Sequence, residues 1–304
     1  MSPRRHAVFH NLAIFFFVAA AALSIPSGAA GQDVPPEESP AAEEPPADPA
    51  PTPTPAKPGA PARVWAALRD EAVRYGRDSV ALVKRPLTWK KPQWEKAGGA
   101  ILVIGGLMLV DKDIDRAAQR NRSHFTNSVS STTTSLGGYN GFTASFAMLG
   151  AGLIFNHENL RDTGREAIEA GLMAYVLHSV LNRGFGRERP YESNGQTVFV
   201  IGSSHDSFPS GHATEAFAVA SVVATRSKGW EIPALAYGAA TIVAMDRVNG
   251  HVHFASDVVA GAILGTAVGR FIVRKHLDEK AGVLSKADLD IVPIRNGLAA
   301  KLRF

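Results

Sequence analysis

At 304 residues the chain can hold one large domain or two ordinary ones, and its 32 Lys and Arg against 28 Asp and Glu leave a formal charge of only +4. The basic residues are scattered and not interleaved with aromatics. That speaks against a nucleic-acid surface and leaves a mild attraction for anionic lipids or phosphate compounds. No cysteine is present, so disulfides and thiol nucleophiles drop out together.

The first residues, MSPRRHAVFHNLAIFFFVAAAALSIPSGAAGQ, run from Arg4, Arg5 and His6 through an apolar stretch, Leu12 to Leu23, to small residues at Ser27 to Gly31. This is the layout of a secretory signal peptide over residues 1–30, its apolar stretch shorter than the ~20 residues of a membrane span. Residues 31–63 are Pro, Ala and Glu with almost no large apolar side chain, so they cannot offset the entropy of ordering. An extended linker is expected there. The folded domain is then expected at 64–304, in an exported protein of the periplasm or envelope.

Within that domain the spacing predicts an amphipathic helix from Val64 to Val83, with Trp65, Leu68, Ala72 and Tyr75 near one face. Six Ala-rich apolar runs of helical length follow: Gly98 to Val110, Gly141 to Phe155, Arg165 to Leu181, Gly211 to Arg226, Ile232 to Met245 and Ser256 to Val273. An all-α helical bundle is the natural fold class. Thr163 followed by Glu166 offers a capping box for the third run. Residues 123–141 are polar and Gly-punctuated, which predicts a long loop. Asn296-Gly297, between two short alternating runs, predicts a C-terminal β-hairpin. Most of the runs are shorter than ~20 residues and suit a buried helix as well as a span. The mean hydropathy of −0.01 favours a bundle that does not cross the membrane.

Three clusters carry the residue types of anion chemistry, each at an edge between loop and helix: NRGFGRERPY (Asn182 to Tyr191), SFPSGHATEAF (Ser207 to Phe217) and DRVNGHVHFASDVVAGAILG (Asp246 to Gly265). In the second, Pro209 disfavours helix at Phe208, Ser210 can cap, and Gly211 lets backbone approach an anion drawn to the free N–H groups of a helix start. His212 then lies beside that anion. In the third, His253 and Asp257 share a face if helical, so the carboxylate can hold one imidazole nitrogen and leave the other as nucleophile or base. Arg247 can reach the same anion. In the first, Arg183, Arg187 and Arg189 offer forks for phosphate oxygens. Taken singly, each cluster is equally well a capped helix, a surface ion pair or a solvated basic loop. His251 and His253 with Asp257 also leave a metal site open.

In this order, Arg187-Glu188-Arg189-Pro190, Pro209-Ser210-Gly211-His212, and Arg247 with His253 and Asp257 resemble the three-part signature of the type 2 phosphatidic acid phosphatase and vanadium haloperoxidase superfamily. The resemblance covers 182–265. Asp246 stands where Ser usually precedes the Arg, and Asn182 stands where a Lys is expected seven residues before Arg189.

The resemblance implies a bundle with a six-helix core and a phosphatase acting on a phosphate ester or diphosphate, lipid or small, through a phosphohistidine. His253 would attack phosphorus, Asp257 orient and stabilise the imidazolium, and His212 protonate the leaving oxygen and later activate water. Arg189, Arg247, Ser210 and Gly211 would bind the phosphate, with Arg183 or Arg187 replacing the missing Lys. No metal or other cofactor is implied. A vanadate-dependent haloperoxidase, or a non-catalytic envelope protein whose site has decayed at Asn182, remains as an alternative. A cleaved signal followed by six spans would put the site on the wrong side of the membrane for an integral member. A soluble or surface-bound bundle is therefore expected over an integral one.

Overall fold

The computed structural model describes residues 60–123, 126, 128, 140–193, 198–285, 288–294 and 297–303. The expected signal peptide, nearly all of the expected linker and most of the predicted loop 123–141 lie outside the described residues. The chain divides into two compact units at Arg77 and Asp78. Of the first unit, the described part is the beginning of α1 (Ala60–Lys84), where Arg74 pairs with Glu71 at 2.7 Å and lies over the Tyr75 ring. This helix starts four residues inside the segment expected to be an extended linker, since Ala60, Ala62 and Arg63 are good helix formers.

The second unit contains the end of α1 and six further helices: α2 (Lys91–Arg120), α3 (Asn140–Ile154), α4 (Glu158–Phe185), α5 (Gly211–Arg226), α6 (Glu231–Asn249) and α7 (Ala255–Ser285). The predicted runs mark their apolar middles, and charged residues of good helix propensity extend α2, α4 and α7 beyond them. The predicted capping box falls inside α4. The ring of His157 instead caps that helix, accepting from the Leu160 N–H at 3.2 Å, while Thr163 bonds back to the Asn159 carbonyl at 2.6 Å. Asp288–Ile294 and Gly297–Arg303 form an antiparallel hairpin, β1 and β2, in the register Asp288↔Arg303 to Ile294↔Gly297. Asn296 of its predicted turn lies outside the described residues.

Helix α5 is the centre of the unit, packed against α4, α6 and α7, with α3 on α4 and α2 on α7. Its contact with α7 is unusually close because Gly261, Gly265 and Gly269 recur every four residues along α7. A Cβ on Gly265 would lie 2.1 Å from the Thr214 carbonyl oxygen, and one on Gly269 2.4 Å from that of Ala218. Around this seam Ala167, Ala170, Met173, Ala218, Val222, Val268 and Ile272 form the main core. Burying such side chains stabilises by about 25 cal/mol per Å² of apolar surface.

An ionic cluster lies where α1, α4, α5 and α7 meet at one end of the bundle. His276 places Nδ1 3.1 Å from Glu166 and Nε2 2.8 Å from Asp78, with a Glu169 oxygen 3.6 Å away. Lys275 pairs with Asp78 at 2.7 Å, and Arg226 forks onto Glu166. Burial lowers the His276 pKa, but the hydrogen bonds that its ring donates to Glu166 and Asp78, together with the charges of Glu169 and Glu166, outweigh it and raise the pKa. The three motifs gather at the other end, about 28 Å along α7.

Among the described residues one helix, α7, is long and apolar enough to cross a membrane, and 56% of its apolar window is buried in the bundle. Large apolar side chains nevertheless face outward on α2 (Ile101, Leu102, Leu109), on α3 (Phe146, Leu153, Ile154) and on α6 (Leu235, Met245).

Candidate active site

The end of α4, the start of α5 and the start of α7 converge, and each carries one motif. Gly186 closes α4 in the left-handed conformation, φ 56°, and turns the chain so that Arg187 points inward and Arg189 outward. Arg187 is completely buried between two carboxylates, with Nη2 2.8 Å from Asp111 and Nη1 on Asp257, and its Nη1 also reaches the Ser256 hydroxyl at 2.7 Å. Its guanidinium lies over the Phe254 ring at 4.3 Å. Arg187 was expected among the phosphate contacts; it instead ties α2 to α7. Arg183 is exposed on the last turn of α4, and Asn182 is buried with its amide donating to the Phe208 carbonyl at 3.4 Å. Neither provides the cation expected at position 182.

Arg189 forks onto Asp206, at 2.6 and 2.9 Å, and so stands beside the second motif. There Ser210 occupies the cap position of α5, yet its buried hydroxyl has no hydrogen-bond partner among the described residues. Its main-chain N–H donates to the Asp257 carbonyl at 3.0 Å and so joins the starts of α5 and α7. The free hydroxyl and the first N–H groups of α5 make a corner of donors suited to an anion.

His253 is buried just before α7. Its Nδ1 lies 2.8 Å from the Ser207 carbonyl oxygen and 3.9 Å from the nearer Asp257 oxygen. The main-chain carbonyl therefore holds the Nδ1 proton and leaves the Nε2 lone pair for an electrophile. The direct carboxylate–imidazole bond expected from the spacing is not made, because His253 precedes the first residue of the helix. Asp257 accepts from the Ser207 hydroxyl at 2.6 Å, from the Phe254 N–H at 2.8 Å and from Arg187. It fixes the residue that fixes His253.

Burial, with Arg189 and His212 adding to it, pushes His253 well below its usual range, so the ring is neutral. Burial, then Arg247 and Arg189, lower His212 to about 4. Burial raises Asp257 to about 6 against the pull of Arg187, Ser207 and Phe254. Arg247 pairs with its neighbour Asp246, the residue that departs from the family signature. Negative charge beside Arg189 and Arg247 would oppose the burial and the cationic charge that keep His212 neutral.

Sequence reading missed Asp111, Asp115, His178, Asp206 and Ser207. Asp115 holds His251 through Nδ1 at 2.7 Å, so His251 and His253 are bound to different partners. Only their buried charge signalled Asp111 and Asp115, since an apolar helix seldom carries unpaired acids on its inner face.

Residues 166–281 match the PAP2 superfamily. This stretch, under half of the chain, is similar to that superfamily. The match spans α4 to α7 and includes all three motifs. A decaprenylphosphoryl-5-phosphoribose phosphatase of Mycobacterium tuberculosis is 34% identical over 111 residues, which are 36% of this chain and 60% of that protein. Among solved structures, the first transmembrane PAP2 type phosphatidylglycerolphosphate phosphatase from Bacillus subtilis covers 60% of this chain and 95% of its own, at 25% identity and a TM-score of 0.45. Aquifex aeolicus LpxE covers 53% and 93%, at 22% identity and a TM-score of 0.40.

Proposed function

We propose that the domain containing residues 166–281 is a PAP2 phosphatase that transfers the phosphoryl group of a phosphate ester or diphosphate to His253 and then to water. The observation that carries this reading is the neutral, buried His253, with Nδ1 on the Ser207 carbonyl and Nε2 left to attack, facing Arg189, Arg247 and His212. In the first step Nε2 forms a bond to phosphorus as the P–O bond breaks, and His212 gives its proton to the departing oxygen. In the second, His212 takes a proton from water as the hydroxyl displaces the imidazole, releasing phosphate. Arg189, Arg247, the Ser210 hydroxyl and the Gly211 N–H neutralise the charge that spreads over the phosphoryl oxygens.

Lipid phosphates are the favoured substrate class. Phe185 within the first motif and Phe199, Val200 and Ile201 after it expose apolar surface, and Phe185 and Phe199 stack edge-on against Phe208 of the second. An acyl or prenyl chain could rest there while its phosphate enters the site. The relative from Mycobacterium tuberculosis is named for a prenyl-linked substrate, which is in keeping with this class. The outward apolar side chains of α2, α3 and α6 further support association with the envelope membrane.

The purified protein is expected to hydrolyse p-nitrophenyl phosphate and, faster, a prenyl or diacylglycerol phosphate in micelles. His253→Ala should abolish both, and vanadate should inhibit. Retention of full activity in the His253 variant would sink this reading, as would loss on chelation with recovery on adding zinc.

A further inference from the structure

His178 lies on α4 four residues before Asn182, outside the three motifs and unused in the steps above. Three relationships put its ring at the start of α5. Its Nδ1 is 3.2 Å from the Pro209 carbonyl oxygen, to which it donates. Its Nε2 lies 2.7 Å from the point that a Cβ on Gly211 would occupy, so the absence of a side chain at Gly211 makes room for the ring. Arg189 and Asp206, from the loop between α4 and α5, and His212, from α5 itself, all act on it electrostatically. With Nδ1 committed to a carbonyl, Nε2 is the nitrogen available at the corner formed by Ser210, Gly211 and His212.

We propose that His178 Nε2 contacts a phosphate oxygen of the substrate and, taking up a proton as that phosphate binds, supplies the positive charge that Asn182 lacks. The inference rests on the phosphatase reading and adds a residue to its binding site. Burial, joined by Arg189, keeps the ring neutral, while Asp206, which favours the charged ring, is engaged by Arg189. A phosphate dianion arriving beside the ring favours the imidazolium. Asn182 cannot act this way, since its neutral amide is turned to the Phe208 carbonyl. Lysine keeps its charge throughout the neutral range, whereas an imidazole delivers one only with a proton, so phosphate should bind more tightly as pH falls.

The test uses the full chain and follows KM for p-nitrophenyl phosphate and inhibition by orthophosphate from about pH 5 to about pH 8, the range in which an imidazole changes charge. His178→Ala is expected to raise KM and weaken orthophosphate inhibition about tenfold, with kcat within about threefold, the signature of lost binding. His178→Lys is expected to restore both and to flatten their pH dependence. Lysine and glutamine can both donate to the Pro209 carbonyl but only lysine carries charge, so rescue by lysine and not by glutamine separates charge from architecture. His178→Gln, which keeps bulk without charge, should behave as the alanine variant and serves if that variant fails to fold. Unchanged KM and inhibition in the alanine or glutamine variant, or a lysine variant no better than alanine, overturns the inference. Wild-type turnover with indifferent His178 variants would sink this inference alone. Failure of wild-type turnover, with His178-dependent orthophosphate binding by phosphorus NMR, would sink the phosphatase reading and leave His178 at the anion site.

Discussion

His253 gives its Nδ1 proton to the main-chain carbonyl of Ser207, 2.8 Å away, and stands 3.9 Å from Asp257. A carbonyl cannot be deleted by mutating a side chain, so the tautomer of the proposed nucleophile should survive substitutions that would scramble a carboxylate-held ring. Ser207→Ala removes only the hydroxyl that binds the Asp257 carboxylate and should lower kcat by about ten- to a hundredfold, as expected for one hydrogen bond to a charged group. Steady-state kinetics check this, with His253→Ala as the inactive reference.

His212 is expected to act as the acid and then the base, roles worth about 10²–10⁴ in rate. His212→Ala should fall by that factor on an alkyl phosphate and by less on p-nitrophenyl phosphate, whose leaving group needs no proton. With the second step also slowed, a phosphoenzyme should accumulate on the activated substrate, visible after rapid quenching at alkaline pH.

The pH profile follows from the direction of the shifts. In the free site His212 sits at about 4, so its protonated fraction falls as pH rises above that value, while His253 stays neutral down to acid pH. The ratio kcat/KM should therefore increase as the solution is made mildly acidic. Arg247→Gln removes the largest charge that depresses His212 and should move the limb governed by that group toward alkaline pH, even as it lowers the rate.

Arg187 should matter to stability before it matters to chemistry. Replacing it by Ala or Met leaves Asp111 and Asp257 buried without their shared cation, a loss of about 3–5 kcal/mol. Urea denaturation of Arg187→Met would measure it. The same change combined with Asp111→Asn should recover part of the loss.

At the opposite end, His276 links stability to pH. Its folded pKa is raised above the ordinary value of 6.5, so its contribution is complete below that value and disappears as pH rises through the folded pKa. Melting temperature should decline from mildly acidic to mildly alkaline pH, and His276→Gln should remove much of that decline.

The helices were legible because apolar runs report burial directly, and the middles of all six runs fell inside helices. Their ends were not, since Lys91, Arg116 and Glu158 are polar yet good enough helix formers to continue a helix that tertiary contacts have already nucleated. The three motifs were legible as a set, and the fold brings them to one place. Individual roles were harder to read. Spacing could put Arg187 near phosphate but could not show that two acids, one of them 76 residues earlier at Asp111, would enclose it. His178 was invisible for a related reason: nothing in its immediate neighbours distinguishes it from any half-buried histidine, and only the approach of Gly211 gives it a place.

The glycines of α7 have a consequence for how this site could diversify. Because bare backbone meets backbone along α5 and α7, the separation between His212 and His253 is set by main-chain contact and has little slack. Gly265→Ala should therefore cost more than ordinary overpacking, about 1–3 kcal/mol or above, and should reduce activity out of proportion to any loss of fold. Variation in what the domain accepts must then arise on the other walls, along α4 and the segments between its end and α5, where side chains and not backbone define the boundary. The reacting pair behaves as a fixed gauge, and adaptation is left to whatever surrounds it.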